Sequence, residues 1–596
     1  MENTNIAIIG LGPAGLTALK TLREEGFNAT AFERRDKVGG VWSYSSNTTF
    51  TTVLDETVSN TSKFVSGFSD FPFPNDSPAY FTSARAADYL ESYARHFNLL
   101  QHVRFHTTVE VVVRNASNST WDVHIINSDG HSILTFDKVV FAHGCEGIPA
   151  FPPMKNRDKF KGIVLHAQAY RDSALLKQKR ILVVGNGNTA CELSVTLAKS
   201  ASKVYQSYRR GRIMLSRHGD DGVPLDSQFT WPDLRLKYFL DSTIPWLTWP
   251  LADRFMRKRM IAHAARSEQV WPGESRAKRL KRTEKKMREE WRLLPCASIA
   301  HVHPAVQEDY IPAIRMGDIT PLHGFKDFAG ENQVLLADDA LVEVDAVIFC
   351  TGYEMDFSIM PELEIDGACG MPLKRAGDGT RQRSMDDTEN SSDSGQRQQP
   401  RLPRLFQMIF PPRHASSIAF LSWLAPQESV WCVSELAAIA VTQIWVAETA
   451  NSKGLYEMQQ RPSTYRSPAL LPPASKMNAQ VDVYHAWFRT AWQKERSVRS
   501  GYVHHAHSFY RFLHEAAGTG LYQNLDHVLT TRGIRLWWKD RELWTWLAKG
   551  PMNAYAWRLF NTNPKAIPGC GRKVCPEART MVKEAYEACE EYKRQK

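Results

Sequence analysis

Two glycine-rich turns of one kind constrain this chain more than anything else in it: Gly10-Leu11-Gly12-Pro13-Ala14-Gly15 and Gly185-Asn186-Gly187-Asn188-Thr189-Ala190. Each follows a short apolar strand, Ile6–Ile9 or Ile181–Val184, and each opens a helical pattern. Strand, tight turn and helix in that order aim a helix N-terminus at a pyrophosphate. One such turn is a weak signal. Two in one chain predict two bound dinucleotides, one in each of two Rossmann-like domains of α/β class.

After the first turn, Leu16, Leu19 and Leu22 share a helix face and Gly26 ends the helix. The next strand, Asn28–Phe32, runs into Glu33. That acid stands about twenty residues past the turn, where a ribose hydroxyl needs an acceptor. Gly10, Gly12, Pro13, Ala14, Gly15 and Glu33 are therefore expected to hold the first nucleotide, FAD. In the second turn Ala190 takes the third glycine's place, which the pattern allows. No acid follows; the strand Val204–Gln206 leads into Ser207-Tyr208-Arg209-Arg210-Gly211. An acid would repel a 2′-phosphate, whereas arginine pairs with it bidentately. Gly185, Gly187, Asn188, Thr189, Ser207, Arg209 and Arg210 are expected to hold NADPH rather than NADH. The plain alternative for the two arginines is a solvated pair at a strand end.

At 596 residues the chain is too long for one core. No run of eighteen apolar residues is present, so no membrane-spanning helix is expected. The long apolar stretch Ile418–Val446 is broken by Pro426, Glu428 and Glu435 and reads as buried core. The first strand starts almost at once, which is expected to leave no room for a cleaved signal. Nine scattered cysteines suit a reducing compartment, so a cytoplasmic location is expected. Cys570 and Cys575 have the spacing of some redox pairs but lie far from either turn and read as ordinary thiols. No metal-binding pattern appears.

Net charge is +10, and it is concentrated: Arg254 to Arg292 holds fourteen Lys/Arg against five Glu. Just upstream lie Tyr238-Phe239-Leu240 and Ile244-Pro245-Trp246-Leu247-Thr248-Trp249-Pro250-Leu251. Apolar rings beside a cationic helix predict a peripheral contact of residues 238–292 with an anionic membrane, on its cytosolic face. The alternative is a solvated basic helix laced with Glu pairs. No nucleic-acid motif accompanies the charge, so no nucleic-acid partner is expected.

The expected organisation is a first part of the FAD domain over residues 1–165, then an NADPH domain over 170–325 with a basic and aromatic insert at about 225–300. A second part of the FAD domain follows over 326–445, and the strand Ala346–Cys350 is expected to return the chain to the first sheet. Residues 376–401 have almost nothing to bury and read as a disordered excursion. Residues 446–596 read as a tryptophan-rich helical extension.

Between the two units lies Phe160-Lys161-Gly162-Ile163-Val164-Leu165-His166-Ala167-Gln168-Ala169-Tyr170, of the form FxGxxxHxxxY. It resembles the fingerprint of the flavin-containing monooxygenases. Other blocks agree in order: Gly39-Gly40-Val41-Trp42 after Glu33, Ser59-Asn60-Thr61-Ser62-Lys63 with Asp70-Phe71-Pro72-Phe73-Pro74, Ser216-Arg217 with Gly222-Val223-Pro224, Cys350-Thr351-Gly352-Tyr353, and Gly550-Pro551 with Tyr555 and Arg558. The fingerprint ends in Tyr170-Arg171, similar to the N- and S-oxidising branch, whereas Baeyer–Villiger relatives typically carry Trp there. The chain departs from the family at His143, at Phe64 after Lys63, and at Ala425, where a flavin-facing glutamine usually stands and Gln427 is nearby.

The resemblance implies NADPH- and oxygen-dependent transfer of one oxygen atom from a flavin hydroperoxide to the nitrogen of an amine or the sulfur of a sulfide. The chemistry is the cofactor's, which fits a sequence with no catalytic triad. Gly40, Val41 and Trp42 would line the flavin, and Thr351 would touch a cofactor. Asn60 would be the catalytic amide beside the flavin and the nicotinamide. His166 and Tyr170 would fix the geometry between the domains. Baeyer–Villiger oxidation of a ketone is the runner-up. A flavin disulfide reductase would need a cysteine pair near the flavin, and Cys145 is the only cysteine in the first 165 residues. A non-catalytic, membrane-associated nucleotide-binding protein would not need both turns intact.

Overall fold

The first apolar strand finds parallel partners on both sides. In the computed structural model, which describes residues 1–378, 399–421, 423–452, 471–525, 531–560 and 575–595, Asn5–Ile9 pairs with Asn28–Phe32 and with Lys138–Phe141. Val103–Arg104 and Ile418–Phe420 close the two edges of this five-stranded sheet. The second sheet runs in the order Ile319–Leu322, Lys203–Ser207, Arg180–Val184, Ala346–Phe349, Ile163–His166, all parallel. Each parallel sheet carries a small antiparallel sheet, built from Thr108–Arg114, Trp121–Asn127 and Gly130–Phe136 in the first unit and from Phe325–Gly330, Gln333–Leu336 and Leu341–Glu343 in the second. The fold is thus α/β with two Rossmann-like domains, as the two turns imply.

One strand differs from expectation. Ala346–Phe349 does not return to the first sheet; it lies inside the second, between Arg180–Val184 and Ile163–His166. Asp345 locks it there. Its N–H donates to the Arg180 carbonyl (2.8 Å), and its carboxylate accepts the Arg180 N–H (2.7 Å) and guanidinium (2.9 Å). The second sheet therefore draws strands from both sides of residues 170–325, and the return to the first sheet is made by Ile418–Phe420.

The C-terminal helices complete the first core rather than hanging from it. Helix Val430–Ser452 packs against helix Pro13–Glu24 on one side and helix Ala506–Ala517 on the other. By length and composition its Val430–Thr449 stretch could cross a membrane (mean hydropathy 1.6), but 94% of that apolar window is buried inside the protein. Further along, Arg558 Nε donates to Ser69 Oγ (2.7 Å) and its Nη2 pairs with Asp70 (2.6 Å), while Glu435 accepts the Ser69 N–H (2.8 Å). This buried charge network fixes the Ser69–Asp70 segment from two distant parts of the chain. The excursion expected at 376–401 falls largely on 379–398, outside the described residues, as does Cys570. The eight described cysteines are all unpaired.

The insert forms three helices, Trp231–Thr243, Pro245–Ser267 and Arg276–Glu289. On the middle one, Leu247, Leu251 and Phe255 are exposed at helical spacing, with Trp246 beside them at 75% exposure. Trp249, which the sequence groups with Trp246, turns inward and meets the rings of His504 (5.4 Å) and His301 (6.1 Å). Its inward turn follows from the period: Trp249 lies three residues from Trp246 but beside Asp253, whose carboxylate accepts the Ile299 N–H (2.9 Å) and faces the protein. The third helix is tied to carboxylates that precede it in the chain. Arg282 pairs with Glu268 (2.6 Å) and Glu274 (2.9 Å), and Lys286 pairs with Glu268 (2.9 Å).

Candidate active site

At two positions of the first turn, Gly10 and Gly15, steric limits leave room only for glycine. Gly10 has φ +88°, and a Cβ there would sit 2.7 Å from the His143 Cα. A Cβ on Gly15 would sit 2.0 Å from the Gly10 carbonyl oxygen. Gly12 and Gly40 cross back to back, since a Cβ on Gly40 would approach the Gly12 Cα to 3.0 Å. Pro13 opens the helix and no side chain caps its first N–H groups, which are left for an anion. Ala14 is buried behind the turn. Glu33, buried, accepts the Leu11 N–H (2.8 Å) on one oxygen and the Arg35 N–H (3.0 Å) on the other. Each oxygen keeps a lone pair for a ribose hydroxyl. The cradle fits a dinucleotide.

Beyond the cradle, Arg35 organises the Gly40–Trp42 turn by donating to the carbonyls of Gly40 (2.7 Å), Ser43 (2.8 Å) and Thr51 (2.6 Å). The Val41 carbonyl accepts the Val53 N–H (2.9 Å), and the Trp42 ring meets Trp431 edge-on at 5.3 Å. His143 stands beside Gly10 with its surface open to solvent. Desolvation pushes its pKa down to about 4, and the ring is neutral at ordinary pH.

Asn60 is exposed, on a loop that the second domain clasps. The Arg217 guanidinium, almost wholly buried, donates to the carbonyls of Ser59 (2.9 Å) and Val58 (2.9 Å) and reaches Asn60 Oδ1 at 3.5 Å. Glu192, on the helix of the second turn, lies close to Thr57 and Val58 of the same loop, and burial raises its pKa. Ser59 exchanges hydrogen bonds with Phe81, whose ring lies 6.4 Å from that of Trp42. Asn60 and Trp42 thus share one corner. Arg217 and Glu192 are the positioning residues that sequence reasoning missed; a lone Ser-Arg pair gives no hint of the carbonyls it will hold.

The second turn is equally tight: a Cβ on Gly185 would lie 2.5 Å from the Cys350 carbonyl oxygen. Gly187 caps helix Asn188–Ala198, and Asn188 and Thr189 are exposed at its open end. Asn188 Oδ1 is committed to the Val306 N–H (2.8 Å). The residues of Ser207–Arg210 divide in role. Ser207 is fully buried and its hydroxyl donates to the His323 carbonyl (2.7 Å), a structural use. Arg210 pairs with Glu495 (2.9 Å) from the C-terminal region. Arg209 is exposed and has no hydrogen-bond or ion-pair partner among the described residues.

The fingerprint between the units explains itself physically. Phe160 stacks on Phe328 (4.8 Å), and a Cβ on Gly162 would strike the Asp345 carbonyl at 2.5 Å. His166 accepts the Gln168 N–H on Nδ1 (3.1 Å) and spans 3.0 Å from Nε2 to the Gly352 carbonyl. Burial lowers its pKa to about 4, so it is a neutral pin and not a proton carrier. Gln168 then donates to Thr51 Oγ1 (2.9 Å) and the Gly147 carbonyl (2.8 Å) in the first unit. Tyr170 is buried in the second core. Thr351 donates its hydroxyl to the Ala150 carbonyl, which makes it part of this junction.

The family model described as Flavin-binding monooxygenase-like matches residues 3–367. The chain is 32% identical over 571 residues to Monooxygenase aurF of Gibberella zeae, covering 96% of each. It is 28% identical over 451 residues to Dimethylaniline monooxygenase [N-oxide-forming] 2 of Oryctolagus cuniculus, covering 74% of this chain and 73% of the relative. Among solved structures it resembles S-allyl-L-cysteine S-oxygenase from Allium sativum (TM-score 0.53, 16% identity, 98% of each chain). It also resembles cyclohexanone monooxygenase (TM-score 0.55, 15% identity, 87% of this chain and 98% of that one). With two intact dinucleotide cradles joined by its fingerprint, the chain belongs to the flavin-binding monooxygenase family, as an oxidoreductase that uses FAD and NADPH.

Proposed function

We propose that this monooxygenase oxidises a soft nucleophile, the nitrogen of an amine or the sulfur of a sulfide, in a small organic substrate. Bound flavin, reduced by NADPH, supplies the activation of dioxygen. The observation that carries the substrate class is the neutral amide of Asn60 at the corner shared with Trp42. The nearest guanidinium, Arg217, is spent on the Val58 and Ser59 carbonyls. A soft nucleophile attacks an oxygen donor that is kept neutral, whereas a ketone demands an anionic one. A neutral amide, able to donate and accept, suits the first. The name of one relative, an N-oxide-forming enzyme, points the same way.

The test is NADPH consumption and peroxide release across amines, sulfides and ketones. Amines or sulfides should speed NADPH use with little peroxide. In Asn60→Ala, flavin should still be reduced, but most of the NADPH should end as hydrogen peroxide. Ketone turnover alone, or an Asn60→Ala variant as well coupled as the parent, would overturn the reading.

A cytoplasmic enzyme seated reversibly on an anionic membrane is the matching location. What supports it is the exposed row Trp246, Leu247, Leu251 and Phe255, continued by exposed Arg254, Arg257 and Lys258. Each cation near such a surface contributes about 1 kcal/mol, and the apolar row adds burial in the headgroup layer. Unpaired cysteines fit a reducing compartment. Sedimentation with anionic vesicles should capture the protein at low salt and release it at high salt. The triple variant Trp246→Ser/Leu251→Ser/Phe255→Ser should stay in the supernatant. Trp249→Ser is the wrong probe, because that ring faces inward. A parent protein that never sediments would show the row to be simply solvated.

A further inference from the structure

We propose that the pyrophosphate of the nicotinamide cofactor is clamped by two guanidinium groups, Arg212 from the second domain and Arg499 from the C-terminal region. This rests on the reading that the Gly185–Ala190 turn takes the nicotinamide dinucleotide.

Arg212 stands over the middle glycine of that turn: a Cβ on Gly187 would come 3.4 Å from its Nη1. Its Nε is held by the His303 carbonyl (2.7 Å), which aims the rest of the group at the turn. Arg499 comes from the C-terminal region. Its Nη2 lies 3.2 Å from Cys145 Sγ and 3.5 Å from the Glu146 carboxylate, just past the first-domain strand that ends beside Gly10. The Arg499 side chain is 53% open to solvent, so a ligand can reach its guanidinium.

Both cations are close enough to act on His303, and Arg499 is close enough to act on Arg212. Burial together with Arg499 and Arg212 holds His303 at a pKa of about 3, and burial with Arg499 nearby lowers that of Arg212. Nε2 of His303 is buried without a hydrogen-bond partner. Glu495, the carboxylate that could relieve this charge, is already held by Arg210 (2.9 Å) and Ser497 (3.0 Å). Like charges gathered near the N-terminus of helix Asn188–Ala198 call for an anion, and a diphosphate supplies one.

The segment that brings Arg499 is built to hold it. Glu495 docks it on Arg210, the Gly501 N–H donates to Tyr484 Oη (3.0 Å), and the Ala425 N–H donates to the Gly501 carbonyl (2.9 Å). Arg499 lies far outside residues 3–367, so the C-terminal region would be a working part of the cofactor site in this chain.

The pyrophosphate is common to NADPH and NADH, whereas the 2′-phosphate is not, and this separates the clamp from Arg209. In the FAD-loaded full-length protein, NADP⁺ and NAD⁺ dissociation constants are to be measured by flavin absorbance perturbation. Arg499→Gln should weaken both by the same factor, about tenfold or more. Arg499→Lys should recover part of the loss, and Arg212→Gln should repeat the pattern. FAD content and Tm should match the parent. Unchanged binding of both dinucleotides, or a loss confined to NADP⁺, would overturn the clamp. A parent that binds neither dinucleotide would instead sink the cofactor reading on which the clamp rests.

Discussion

Gly12→Ala should give a folded, colourless protein. The parent should be yellow, with one FAD per chain released by acid. In the variant the new methyl meets nothing closer than 3.6 Å, at the Gly40 Cα, an ordinary contact. Gly12 has φ −73°, which alanine adopts freely. Folding should therefore survive. What the methyl fills is the space through which the pyrophosphate approaches the N–H groups of the turn. Losing two charge-assisted bonds of about 1.5–3 kcal/mol each lowers FAD affinity by about 100-fold or more. Gly15→Ala makes the useful contrast. Its methyl would lie 2.0 Å from the Gly10 oxygen, so the backbone itself must move and stability should fall with the flavin. FAD content by absorbance and Tm by calorimetry separate the two outcomes. Gly12→Ala with a full complement of FAD would mean that the dinucleotide does not pass over this turn.

The parts of this protein that were readable in its sequence are those where chemistry acts over a few residues. A glycine that must have positive φ, such as Gly10, or that must let a carbonyl pass, such as Gly15, leaves a local mark. Glu33 and the Phe160–Tyr170 fingerprint do the same, because each sits at a set distance from the strand it serves. Long-range pairings leave no mark. Ala346–Phe349 is buried on both faces and has no period to betray its neighbours; its place depends on Asp345 meeting Arg180, 165 residues away. Arg210 and Arg209 are equal candidates for a phosphate in the sequence, and only the fold brings Glu495, 285 residues on, against Arg210. Trp249 and Trp246 differ only in which way the helix turns them. The helical C-terminal region carried no legible role, because its work is to finish a core and a cleft laid down by the first half of the chain.

Arg209→Ala should raise the half-saturating NADPH concentration by about ten- to a hundred-fold and leave that for NADH almost unchanged. One charge-assisted bond to a phosphate contributes about 1.5–3 kcal/mol, which converts to that range. The parent should accordingly prefer NADPH by tens-fold or more. Arg210 gives the sharper comparison. Its guanidinium is tied to Glu495, whose side chain is only 10% exposed, so Arg210→Ala leaves a buried carboxylate without its partner. That variant should lose stability and misplace the Glu495–Arg499 segment, weakening NADPH and NADH together. The two neighbouring arginines would then differ in kind: Arg209 reads the 2′-phosphate, and Arg210 holds the C-terminal segment in place. Steady-state kinetics with both dinucleotides, beside a melting curve for each variant, decide it. Equal losses for NADPH and NADH in Arg209→Ala would show that the exposed arginine does not face the 2′-phosphate, and a selective NADPH loss in Arg210→Ala would move that role to the residue now bound by Glu495.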